Sequence, residues 1–89
     1  MNIIWTEYLK HRAVARRLDL AIIEQILRFS SERYCDTVTH RMVAVGRHGN
    51  GLVMVPYEQA HDMVTPITIH ATTRQQINLR LRTRRFVIP

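Results

Sequence analysis

The chain has 89 residues and a mass of 10.5 kDa, enough for one domain and no second core. At 46% hydrophobic and 22% charged it is a globular rather than a disordered composition, and one cysteine, Cys35, excludes both an internal disulfide framework and a cysteine-based zinc site. Thirteen Lys+Arg against seven Asp+Glu give a net charge of +6, and every base except Lys10 is an arginine. Arginine's planar fork binds phosphate in a bidentate way, so a basic surface built from it suits nucleic acid, an acidic protein partner or an anionic surface. No run approaches 18 apolar residues, and the N-terminus lacks the charged and apolar regions of a signal peptide. The expectation is a cytoplasmic chain with no membrane partner.

In chain order, Ile3-Ile4-Trp5 reads as a short edge strand. Glu7 to Arg17 is helical in composition, with Leu9 and Ala13 at i, i+4 spacing. Asp19 is a candidate N-cap for a second helix carrying Leu20, Ile22, Ile23, Ile26 and Leu27, ended by Ser30-Ser31. The tight junction at Leu18-Asp19 predicts a helical hairpin. Beyond it the period changes to two. Tyr34–Val38 and Arg41–Arg47 read as strands, with Val43 and Val45 facing one way and Met42 and Ala44 the other. His48-Gly49-Asn50-Gly51 is a turn, and Asn-Gly is a strong hairpin signal. Leu52–Tyr57 pairs back, Glu58–Asp62 reads as a polar loop, and Met63–His70 as the last strand. Pro66 removes one ladder donor there, predicting an interruption or an exposed edge. Thr72-Thr73 offers an N-cap for a third helix with Ile77 and Leu81 at i, i+4. The fold class is therefore α+β: a helical hairpin, then a three- or four-stranded antiparallel sheet, then a C-terminal helix, with the helices on one face of the sheet. Residues 1–89 form a single domain.

Charge is uneven. Residues 1–36 hold six bases and five acids, residues 37–89 seven bases and two acids. Arg80, Arg82, Arg84 and Arg85 precede an apolar end, Phe86-Val87-Ile88-Pro89. A helical tail would spread these charges around a cylinder. An extended tail would align them on one edge, and the apolar end would dock on the body or on a partner. Both conformations remain open.

The element order in a small basic chain resembles the RelE/ParE superfamily of type II toxins, and most closely BrnT-like toxins and a related group of small domains. One carrying stretch is Tyr8, Arg12 and Arg16 at four-residue steps before Leu18-Asp19-Leu20-Ala21-Ile22-Ile23-Glu24-Gln25-Ile26-Leu27. Tyr8 occupies a position where relatives commonly have His, and His11 nearby falls out of register. The other is Ile67-Thr68-Ile69-His70-Ala71-Thr72-Thr73-Arg74-Gln75-Gln76-Ile77, which is similar to the last strand and helix start of the group. The resemblance implies a RelE/ParE-like fold, a cognate antitoxin partner and, in the best-known branches, RNA cleavage that inhibits translation, free or on the ribosome. Other branches attack a protein target such as gyrase, and a non-catalytic basic binding module of the same fold is a further alternative.

Metal-free RNA cleavage needs a group to take the 2′-hydroxyl proton, one to protonate the leaving oxygen, and cations to stabilise the phosphorane. His70 and Arg74 at the last strand–helix junction are the candidate catalytic pair, joined by Tyr8. A strand-end histidine and a helix-surface arginine account for the same residues blandly. Arg12 and Arg16 stack on one helix face with Tyr8, as a phosphate clamp or a solvated face with Glu7 and Asp19 as counter-ions. Arg47 and Arg80 are candidates to extend the phosphate track, and Tyr57 to stack on a base, although a tyrosine at a strand end is more often a packing residue. The five histidines, at 11, 40, 48, 61 and 70, show no ligand-like spacing, so no metal or cofactor is expected. Cys35 reads as a small core residue.

Overall fold

The computed structural model describes all 89 residues, Met1–Pro89. The chain is α+β, with three helices and a mixed sheet of seven strands. The elements are β1 (Asn2–Ile3), α1 (Glu7–Ala15), α2 (Leu20–Phe29), β2 (Arg33–Asp36), β3 (Met42–His48), β4 (Gly51–Ala60), β5 (Met63–Pro66), β6 (His70–Thr72), α3 (Arg74–Arg82) and β7 (Phe86–Val87). The sheet order is β1-β5-β4-β3-β2-β7, with β6 beside β4. No helix is long and apolar enough to cross a membrane.

The two N-terminal helices follow their caps. The Thr6 side chain accepts from the Leu9 N–H and starts α1; the Asp19 carboxylate accepts from Ala21 N–H and starts α2. Arg17 takes a left-handed φ of 56°. Leu18 N–H then reaches Ala13 O and Arg17 N–H reaches Val14 O, the paired bonds of a Schellman motif that closes α1 and sets the hairpin. Arg33 seals the other end of α2. Its guanidinium donates to Leu27 O at 2.5 Å, to Ile26 O at 3.4 Å and to Tyr57 Oη at 3.0 Å, satisfying carbonyls the helix leaves open.

The β3–β4 ladder runs from Met42↔Tyr57 to His48↔Gly51. Its alternation feeds two cores. Ala44, Val53, Val55 and Tyr57 meet Leu9, Ala13, Ile23 and Leu27 of the helical hairpin. Val43, Val45 and Met54 meet Tyr34, Phe86 and Ile77 of α3 on the opposite face. Helices therefore cover both faces, not one as expected, because Ile77 has an apolar sheet face of its own to bury. Gly46 lets α2 lie close on β3: a Cβ there would stand 2.5 Å from Ile26 Cγ1 and 2.9 Å from Ile26 Cδ1.

The sheet corrects the expected three or four antiparallel strands. β1 pairs parallel with β5, through Asn2↔Met63 and Ile3↔Val64. The segment expected as one strand, Met63–His70, is two. β5 pairs with Tyr57–Ala60 and β6 with Leu52–Met54, and the break follows Pro66, which has no N–H to continue the ladder. Glu58–Ala60 is strand rather than loop, and the chain reverses at His61-Asp62 with His61 at φ 55°. The β3–β4 turn forms at Gly49-Asn50, one residue before the Asn-Gly pair, because Gly49 takes the positive φ of 61° and Gly51 already pairs with His48. Cys35 is half-buried in β2 and belongs to neither core.

The C-terminal tail docks on the body. Arg84, at φ 62°, turns the chain after α3, and Phe86-Val87 pairs with Asp36-Cys35. Arg85 donates Nε and Nη2 to the buried Asp36 carboxylate at 2.7 and 3.1 Å. Burial alone would raise this carboxyl's pKa. Arg85 and the Val38 and Thr39 N–H groups outweigh that and hold it below the usual range.

The close approach at Gly46 gives a direct test. Gly46→Ala overpacks the α2–β3 contact against the buried Ile26 and is expected to cost about 1–3 kcal/mol. Denaturant melts check it; an unchanged midpoint would contradict the packing.

Candidate functional site

The loop between β5 and β6 and the strand that follows put His70 on the α3 face of the sheet, opposite Met54. Its edge of the sheet carries no further strand, so the Ile69 carbonyl is open to the side. Arg12 of α1 fills that position. Its Nε donates to Ile69 O at 3.1 Å and its Nη2 lies 3.3 Å from His70 Nδ1. A guanidinium only donates, so this contact assigns Nδ1 as acceptor and leaves the proton of a neutral ring on Nε2. Burial, followed by the charges of Arg12, Arg16 and Arg80, lowers the His70 pKa below 6.5. Both influences favour the uncharged imidazole.

The surrounding charge is the main feature of the site. All seven carboxylates of the chain are committed elsewhere. Asp19 caps α2, and Asp62 meets the N-terminal ammonium. Glu7, Glu24, Glu32, Asp36 and Glu58 pair with Lys10, Arg28, Arg74, Arg85 and Arg41 respectively. The guanidiniums that act on His70 belong to none of these pairs. Arg80 instead lies over the Phe86 ring, 5.3 Å from its centroid. Arg12 touches the imidazole, Arg16 and Arg80 add positive charge at longer range, and no carboxylate is paired with any of the three, which makes this a candidate anion site.

A cleft of about 420 Å³ opens beside His70, between the sheet, α3 and β7. Its walls include Arg80, Thr68 and Gln76, and its apolar part is Met54, Pro56, Ile67 and Phe86. Thr68 Oγ1 is buried and has no hydrogen-bond partner, which leaves about 1–3 kcal/mol of desolvation uncompensated. No group of three His, Cys, Asp or Glu side chains is placed to hold a metal ion.

The other residues singled out in the sequence are dispersed. Arg74 does not face His70: it forms a bidentate pair with Glu32, at 2.5 and 3.0 Å, and Tyr34 Oη donates to the same carboxylate. Arg74 thus pins the start of α3 to β2. Tyr57 is not a stacking platform. It is 3% exposed in the hairpin-side core, with Arg33 over its ring. Arg47 is exposed near the β3–β4 turn and does not line the cleft. Tyr8 lies one turn before Arg12 and is 60% exposed. The Arg12–His70 contact spans 58 residues, and no local pattern announces it.

This geometry predicts a specific titration. His70 should titrate below 6.5 by NMR, and Arg12→Ala should move its pKa upward by removing one neighbouring cation. A folded-state pKa below the unfolded value means that stability is present above about pH 6.5 and is lost as pH falls through the folded pKa. A His70 pKa at or above the ordinary value, or one unmoved by Arg12→Ala, would contradict the contact. No protein-family model, no curated protein and no solved structure matches the chain.

Proposed function

We propose that the chain is the toxin of a type II toxin–antitoxin system of the RelE/ParE kind, a metal-independent endoribonuclease neutralised by a cognate antitoxin. The observation that carries the proposal is the contact of Arg12, which has no carboxylate partner, with His70, an imidazole on which the charges of Arg16 and Arg80 also act. The helical hairpin and the C-terminal helix agree with the toxin resemblance, whereas the seven-stranded mixed sheet departs from the three or four antiparallel strands expected with it.

In this reading the scissile phosphate sits among the three guanidiniums. The 2′-oxygen attacks phosphorus, the bond to the 5′-oxygen breaks, and a 2′,3′-cyclic phosphate and a 5′-hydroxyl result. Arg12 and Arg80 stabilise the added negative charge of the phosphorane. In the free chain Arg12 occupies the Nδ1 lone pair of His70. A phosphate that draws the guanidinium to itself releases Nδ1 to take the 2′-hydroxyl proton, so substrate binding switches on the base. Tyr8, exposed one turn along α1, is the candidate donor to the leaving oxygen. Arg74 supports the fold of the site through Glu32 rather than contacting RNA.

The occupied Nδ1 also favours a second reading, a basic module that binds nucleic acid without cutting it. The test is cleavage of single-stranded RNA by the purified chain in EDTA. His70→Ala is expected to lower the rate about 10²–10⁴-fold, and Arg12→Ala and Arg80→Ala to weaken both binding and turnover. Expression of the chain alone should arrest bacterial growth, and a co-expressed neighbouring gene should relieve it. Binding without cleavage would select the second reading. Wild-type cleavage by a folded His70→Ala/Arg12→Ala variant, or activity that requires Mg²⁺, would defeat the mechanism.

A further inference from the structure

We infer that the cleft beside His70 is a nucleobase pocket, which takes one unstacked base of the nucleotide whose phosphate lies at Arg12, His70 and Arg80. This deepens the ribonuclease reading and rests on it for the position of the phosphate. The cleft itself stands on separate observations: its volume, its apolar floor and an unpartnered hydroxyl.

The cleft is chemically divided in the way a nucleotide is. His70 and Arg80 both line it, and Arg80 has no carboxylate partner. The remaining arginines of its wall, Arg41 and Arg85, are neutralised by Glu58 and Asp36. Among the arginines of the wall, Arg80 is therefore the one without a carboxylate partner. Pro56 and Ile67 are half-buried and leave apolar surface facing the cleft. A flat base gains by covering such surface, and stacking or apolar contact of this kind is tolerant of sequence. The volume of about 420 Å³ admits one nucleotide and not a base-paired step.

Gln76 and Thr68 are neutral polar side chains of the wall. Gln76 accepts from Thr72 Oγ1 through its Oε1, which fixes the amide and leaves its NH₂ donors available. Thr68 Oγ1 is the one buried side-chain polar atom of the chain with no partner. Rotation about its χ1 exchanges the hydroxyl with the methyl group, so a base with a donor or acceptor at that edge satisfies the orphan atom. A site whose polar atom stays unpaired with the wrong ligand discriminates more strongly than an apolar slot does. An acidic peptide would match the charge at His70 but not the apolar floor or the orphan hydroxyl.

The experiment is an NMR titration of the full chain with the four nucleoside 5′-monophosphates, inorganic phosphate and a hexaglutamate peptide. The expected result is that at least one monophosphate binds about tenfold or more tighter than inorganic phosphate, equivalent to the gain from one stacked base. The His70 ring signals should shift with every phosphate, and the Ile67 and Met54 methyl signals only with nucleotides. Thr68→Val, nearly isosteric, should compress the spread of affinities among the four bases while leaving inorganic phosphate unchanged. Equal affinity for phosphate and all nucleotides, silent Ile67 and Met54 methyls, or hexaglutamate binding as tight as nucleotide would overturn the pocket. Nucleotide binding with these shifts but no RNA cleavage upholds the pocket and rejects the ribonuclease. Cleavage with silent methyls does the reverse.

Discussion

The structure depends on a sheet whose central ladder is apolar on both faces. Val43, Val45 and Met54 point one way, and Ala44, Val53, Val55 and Tyr57 the other. Each buried Val or Ile in such a row contributes about 1.5–3 kcal/mol only if something covers it. The α1–α2 hairpin covers one face and the single helix α3 the other, with β7 extending the sheet beside β2. The second cover is incomplete, and the uncovered part is the cleft.

The thin cover is held by charge. Arg74–Glu32 ties the start of α3 to β2, and Arg85–Asp36 ties the segment after α3 to the end of β2. Both pairs use arginines from the basic C-terminal stretch and acids from the N-terminal half. Such pairing consumes the few carboxylates in structural work and leaves the surplus of guanidinium charge elsewhere. Part of that surplus gathers at His70, because the strand break after Pro66 leaves the Ile69 carbonyl open and Arg12 reaches across to it. Backbone irregularity and electrostatics meet at one sheet edge.

The parts of this arrangement set by local pattern were readable from the sequence. Asp19 and Thr73 cap helices as their residue types predict, and the period-two run at Met42–Val45 alternates between the two cores as its spacing requires. The Pro66 interruption also follows from one missing N–H. What escaped the sequence is set by tertiary contact. β7 has two residues, too few for any periodicity, and the edge strand expected at Ile3-Ile4-Trp5 forms at Asn2–Ile3 with a parallel pairing that the sequence does not signal. His70 and Arg74 are neighbours in sequence, yet a bidentate carboxylate 42 residues away claims Arg74. Arg12 lies 58 residues from His70 and becomes its partner. Tyr57 ends the segment read as a strand, but β4 continues for three more residues and the ring is interior. Charge could be counted from the sequence; which charges remain unpaired required the fold.

The central claim is that unpaired arginines, not arginines in general, make the anion site. The salt dependence of single-stranded RNA binding separates the two. In a plot of log affinity against log salt, Arg12→Gln and Arg80→Gln should each reduce the slope by about 0.7, the value for one lost phosphate contact on a single strand. Arg74→Gln, which removes an arginine already paired with Glu32, should leave the slope unchanged. Equal slope changes for all three variants, or none for Arg12 and Arg80, would contradict the account.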